Sequence, residues 1–139
     1  MKPTYLMPTQ EAGQKFVMRQ IQGHVIMLNL LRFRQTADYA ATPELEPATP
    51  ISGKGAYQRY MDHTLPFLKA SGGEIVFMGE GGDYLIGPND EKWDVVLLVK
   101  QHSVDSFLAF ESNQDYLKGV GHRTAALEDS RILPINEIS

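Results

Sequence analysis

Two stretches of the chain are apolar on both faces. "HVIMLNLLRF" (24–33) and "WDVVLLVKQ" (93–101) are nearly unbroken runs of aliphatic residues, the signature of strands covered on both sides. "EIVFMGEG" (74–81) and "RILPINEI" (131–138) complete a set of four predicted strands. Between them the apolar spacing changes to that of helices. Tyr57, Tyr60, Met61, Thr64, Leu65 and Leu68 form a stripe at 3–4 spacing behind Ser52, a suitable N-cap. Pro66 should bend this helix, and Gly72 and Gly73 should end it. A second helix follows Ser103 and carries Phe107, Leu108 and Phe110. Asn113 caps a further segment with Tyr116 and Leu117, and "GHRTAALEDS" reads as the connection to strand four.

Ahead of this pattern, residues 8–23 read as an appended helix with Phe16, Val17, Gln20 and Ile21 near one face and a stop at Gly23. Residues 34–53 contain Pro43, Pro47 and Pro50 and read as a long irregular segment. "GGDYLIGPNDEK" reads as a turn-rich link with a short extended piece at Tyr84–Ile86. The order is therefore helix, then β-α-β-β-α-β. This is a ferredoxin-like α+β domain: an antiparallel four-stranded sheet with helices on one face. Residues 1–139 form one domain, with 24–138 as its core. In a monomer the second sheet face would meet water, yet strands one and three do not alternate. The simplest cover is a second copy of the same sheet, so a homodimer is expected.

Composition narrows the function. A chain of 139 residues, 42% apolar and 22% charged, suits one folded domain. The net charge of −4 and the lack of a basic run give no reason to expect nucleic-acid binding. The absence of cysteine excludes disulfides and thiolate chemistry. "MKPTYLMPTQEAGQKF" lacks a signal-peptide core, and no apolar run is long enough to cross a bilayer. A soluble cytoplasmic protein with no membrane partner is the expectation.

Candidate chemistry is sparse. Asn29 sits mid-strand on the face of Val25, Met27, Leu31 and Phe33. It is either a core amide satisfied by its neighbours or a polar handle in an apolar ligand pocket. Arg32 points the other way and suits a structural or interface ion pair. His24, His63, His102 and His122 are scattered without ligand spacing, so neither a metal nor a tightly held cofactor is expected. His63 falls one turn from Tyr60 and can cooperate with it. Tyr57, Tyr60 and Trp93 each suit core packing. The same question attaches to Tyr116, His122 and Arg123, and an Arg near a helix C-terminus also favours the helix dipole without any ligand. "GEGG" (79–82) is not a dinucleotide fingerprint. No nucleophile elbow is present, and Glu80 would act as a base only if buried.

"VIMLNLLRFR", "ADY", "AYQRY", "SGGEIVFMGEG", "WDVVLLVKQ" and "YLKGVGHRTAALEDSRILP" together resemble the domain of unknown function 1330 family, over roughly residues 20 to 135. That family lies in the dimeric α+β barrel superfamily, which includes cofactor-free monooxygenases, haem-degrading enzymes, lactone isomerases and decarboxylases. The resemblance implies the fold, the dimer and a pocket between sheet and helices. The resulting expectation is a cofactor-free enzyme acting on an apolar or aromatic carbonyl compound by oxygenation, isomerisation or proton transfer. Asn29 would orient the ligand carbonyl, Tyr60 or His63 would move a proton, and Trp93, Tyr116, His122 and Arg123 would line the pocket. The alternative is a small-molecule-binding or regulatory dimer without catalysis. Haem degradation, with His63 or His122 as axial ligand, is a third reading.

Overall fold

A computed structural model describes residues 2–138. The elements are α1 (Gln10–Met18), β1 (Val25–Phe33), a 3-10 turn (Pro43–Leu45), α2 (Gly53–Ala70), β2 (Glu74–Asp83), β3 (Lys92–Gln101), α3 (Val104–Glu111), α4 (Gln114–Leu117), α5 (Val120–Ala126) and β4 (Leu127–Ile135). The four strands form one antiparallel sheet in the order β2-β3-β1-β4. This is the ferredoxin-like arrangement that the hydrophobic pattern predicts.

Local chemistry explains most boundaries. Ser52 Oγ accepts the Gly55 N–H at 2.9 Å and starts α2, while Gly72, at φ +83°, ends it in the left-handed region. Gly53 is the close-approach point. A Cβ there would collide with the Arg34 carbonyl and lie 2.6 Å from that of Ala126. The start of α2 is thereby seated against the end of β1 and of α5. Pro66 lies inside α2 without ending it.

Several boundaries differ from the sequence reading. β2 runs on to Asp83, and in place of a short extended piece at Tyr84–Ile86 the chain bends at residues 85–87. α1 stops at Met18, because Gln20 takes a positive φ of 51°. Phe16 packs edge-on against Phe107 at 5.9 Å and Ile21 is buried, but Val17 is half exposed. "GHRTAALEDS" is not a linker. It holds α5 and the first part of β4, which begins at Leu127. With Gly at the cap and small residues within, α5 has little amphipathic signal.

Register divides the sheet into two faces. Val25, Met27, Asn29 and Leu31 of β1 are buried, and Leu31 packs in one core cluster with Tyr57, Tyr60, Tyr116 and Leu127. On the other face Phe77, Leu98, Leu28 and Leu133 stand opposite one another across all four strands. Phe77 and Leu133 are each 56% exposed in the single chain. Ile26, Leu30 and Val96 extend this apolar surface along β1 and β3. No helix of the structure is long and apolar enough to cross a membrane.

Candidate functional site

Asn29 lies on the helix-facing side with Leu31, two positions along β1. Its amide nitrogen donates to the carbonyls of Met27 and Leu97, at 3.1 and 3.4 Å. The side chain therefore bonds to its own strand and to the next one.

Tyr60 and Tyr116 come together, with their hydroxyls 2.8 Å apart. They belong to an aromatic series running from Phe33 through Tyr57, Tyr60 and Tyr116 to Phe110, with ring centres 5.5, 5.3, 6.2 and 4.5 Å apart in turn. Burial raises the phenol pKa values of Tyr57 and Tyr116 well above the usual range, and the neighbouring Tyr60 raises both further. These groups stay protonated, and Tyr116 serves as the hydrogen-bond partner of Tyr60.

His63 lies beside this series, but its Nε2 donates to the carbonyls of Asp115 and Tyr116, at 2.8 and 3.2 Å. His122 is turned toward the irregular segment, where its Nδ1 is 2.8 Å from the Tyr39 hydroxyl. Arg123 is buried at the far end of α5. It donates to the Leu6 carbonyl at 2.7 Å and to Ser130 Oγ at 3.3 Å.

Trp93 stands apart from the tyrosines. Arg32 and Arg131 lie over its ring at 5.6 and 5.0 Å, and its Nε1 donates to the Tyr84 hydroxyl at 2.7 Å. Arg32 also contacts Asp129 at 3.4 Å and Glu128 at 3.9 Å, which gives it the structural ion pair considered for it. The predicted residues thus fall into separate groups: Tyr60, Tyr116 and His63; His122; Arg123; Trp93; and Asn29.

A cavity of about 350 Å³ lies elsewhere, lined by Phe33, Lys54, Glu80, Gly81, Gly82, Asp94 and Val95. Its origin is visible in the register. β1 and β3 pair as far as Leu31 and Val95. Two residues on, the Phe33 N–H is accepted by the Asp94 carboxylate at 2.8 Å. The strands part there, under the first turn of α2. Glu80 pairs across from Val95, and Val95 from Leu31, so Glu80 stands on the helix-facing side. Among the described residues Glu80 has no hydrogen-bond or ion-pair partner, and neither has Lys54. Phe33 and Val95 give the cavity an apolar side and Lys54, Glu80 and Asp94 a charged one, a combination that small-molecule sites use. Spacing along the chain carries no trace of this set, because its members come from four elements. The unpartnered acid at "GEGG" was the one signal for it.

Among the described residues no three His, Asp or Glu side chains converge as a metal site.

Comparison with known proteins yields one strong likeness. The chain is 32% identical to the RPA0582 protein of unknown function from Rhodopseudomonas palustris, with 99% of each chain covered and a TM-score of 0.86. The methylated form of that protein matches equally well, at 32% identity and a TM-score of 0.86 over 98% of this chain and 96% of the other. A dimeric ferredoxin-like protein of unknown function from Bacteroides fragilis is more distant, at 14% identity and a TM-score of 0.48 over 84% of this chain and 99% of the other. No family model matches the chain, so the resemblance to the domain of unknown function 1330 family rests on its motifs alone. No curated protein matches it.

Proposed function

The chain belongs to the family of the Rhodopseudomonas palustris RPA0582 protein, and from that starting point we propose that it is a homodimeric small-molecule enzyme working by proton transfer at the Lys54–Glu80–Asp94 cavity. The observation that carries this reading is the cavity of about 350 Å³ lined by Phe33 and Val95 together with Glu80 and Lys54, which have no partner among the described residues. Phe33 and Val95 would hold the apolar body of a carbonyl compound. Glu80 and Lys54 are exposed in the single chain, so the bound ligand itself would have to cover them. Glu80 would then take a proton from the carbon next to the carbonyl, leaving an enolate, and the Lys54 ammonium would stabilise its oxygen. Where the substrate is β,γ-unsaturated, the enolate extends to the γ-carbon, and return of the proton there moves the double bond into conjugation with no external oxidant or cofactor. Asp94 is committed to the Phe33 N–H and would position rather than react.

The homodimer rests on the row Phe77, Leu98, Leu28 and Leu133. Apolar surface of this breadth favours a second copy at about 25 cal/mol per Å² buried.

A non-catalytic binder is the second reading. It is favoured by the partners that Tyr60, Tyr116 and His63 already have inside the chain. One experiment separates the two. Aryl ketones and keto acids are screened by thermal shift, and those that bind are followed by proton NMR in deuterium oxide. Uptake of deuterium next to the carbonyl, lost in Glu80→Gln while the thermal shift remains, supports the enzyme. Binding without uptake supports the binder. A thermal shift unaltered by both Lys54→Met and a Val95→Phe filling of the cavity rejects this site altogether.

A further inference from the structure

Arg59, His63 and Phe67 occupy successive i, i+4 positions of α2, so their side chains share one stripe of the helix. α4, α5 and the irregular segment meet that stripe. The His63 ring packs directly on Gly119, where any Cβ would overlap it, and stacks at 5.3 Å on Phe67. One turn beyond Gly119, the His122 ring meets that of Tyr39 edge-on at 5.6 Å. Arg59 and His63 are close enough to hold the His122 pKa down, after burial, and Arg59 acts in the same direction on the Tyr39 phenol. Two histidines, an arginine and a phenol therefore share one seam.

The nearby carboxylates are occupied. Asp62 accepts from the Gln58 amide at 2.9 Å, Asp115 pairs with Lys118 at 3.1 Å, and Asp38 accepts the Ala40 N–H at 2.9 Å. Among the described residues Arg59 has no hydrogen-bond or ion-pair partner. Each histidine also has one ring nitrogen committed. His63 uses Nε2 on two backbone carbonyls, and His122 uses Nδ1 on Tyr39. When Tyr39 donates, His122 is the Nε2–H tautomer with that N–H unengaged. Arg59 is exposed and the two histidines are partly buried beside it, so a bound anion would meet a permanent positive charge and an unengaged ring N–H in one place.

We infer that this seam binds the oxyanion end of a small molecule, a phosphate or a carboxylate, at a site separate from the Lys54 cavity. Arg59 supplies the permanent charge and a planar pair of donors. His122 supplies the Nε2–H, and the His63 ring closes the seam beside it.

The test is a titration of the full chain with inorganic phosphate and, separately, with benzoate, read from histidine ring NMR. The expected result is that His63 and His122 shift together and saturate with one dissociation constant, while His24 and His102 do not move. Saturation by phosphate alone, benzoate alone or both supports the site and identifies the anion geometry that it accepts. Arg59→Gln, at an exposed position, should weaken binding roughly tenfold or more, as loss of a charged hydrogen-bond partner implies. Lys118→Gln, which removes a lysine already paired with Asp115, should leave it unchanged. Shifts that never saturate with either anion overturn the inference. So does an Arg59→Gln variant that binds as the wild type does, or a loss in Lys118→Gln as large as in Arg59→Gln.

Discussion

An amide in the middle of a buried strand has to be satisfied, and the donor half of Asn29 is satisfied by the carbonyls of Met27 and Leu97. Removing it leaves those carbonyls with less company and a small void between β1 and β3. Asn29→Ala should therefore lower unfolding stability by about 1–3 kcal/mol, measurable as a shift in the urea midpoint. Ligand affinity that stays constant in the same variant would give the residue a purely structural role. His122 makes a different prediction. Burial first, then Arg59 and His63, hold its pKa below the usual 6.5. The folded state thus takes up this proton later than the unfolded chain does. The stability involved is fully present above the unfolded value and falls as pH drops through it toward the depressed folded value. Urea midpoints should decline between about pH 7.5 and about pH 5.5, and His122→Asn should flatten part of that decline. Strand alternation made it legible that Asn29 and Arg32 face opposite ways, though not which of them meets the helices, and helical spacing put Tyr60 and His63 together. The Lys54, Glu80 and Asp94 grouping was not legible, because it depends on where β1 parts from β3, which no local pattern records.

Elements with a cap, a stripe and a stop were readable before any coordinates. α2 has all three in Ser52, the run from Tyr57 to Leu68, and Gly72. α5 has none, since Gly119 offers no side-chain cap and the helix is built largely of Gly, Ala and Thr. Its smallness is what tertiary packing uses. Gly119 admits the His63 ring, and Gly121 faces Thr42 and Leu45 so closely that a Cβ would clash with both. Gly119→Ala should cost roughly 1–3 kcal/mol by overpacking, read as a lower melting temperature. If the His63 contact is the cause, His63→Ala combined with Gly119→Ala should be less destabilised than the sum of the two single variants.

For the molecule as a whole, the uncovered row from Phe77 to Leu133 requires an occupant. Light scattering on the 15.6 kDa chain should give at least twice that mass, and Leu28→Asp, at the centre of the row, should return it to a monomer. A monodisperse wild-type monomer would remove the proposed dimer. The two-sided strands announced that face from sequence alone. They could not announce how the chain ends meet. The Tyr5 N–H bonds to Asp129 at 2.8 Å, the Tyr5 carbonyl accepts from Ser130 Oγ at 2.6 Å, and the Leu6 carbonyl accepts from Arg123. Arg131 then lies over the Tyr5 ring at 4.9 Å and over Trp93 at 5.0 Å. This clasp has a temporal consequence. Tyr5 leaves the ribosome more than a hundred residues before the groups that hold it, so it is among the last residues to be fixed. Closing so long a loop is slow compared with forming a helix. In refolding, the fluorescence of Trp93, the chain's single tryptophan, should reach its native value after the far-ultraviolet helical signal, and Asp129→Ala should remove that lag.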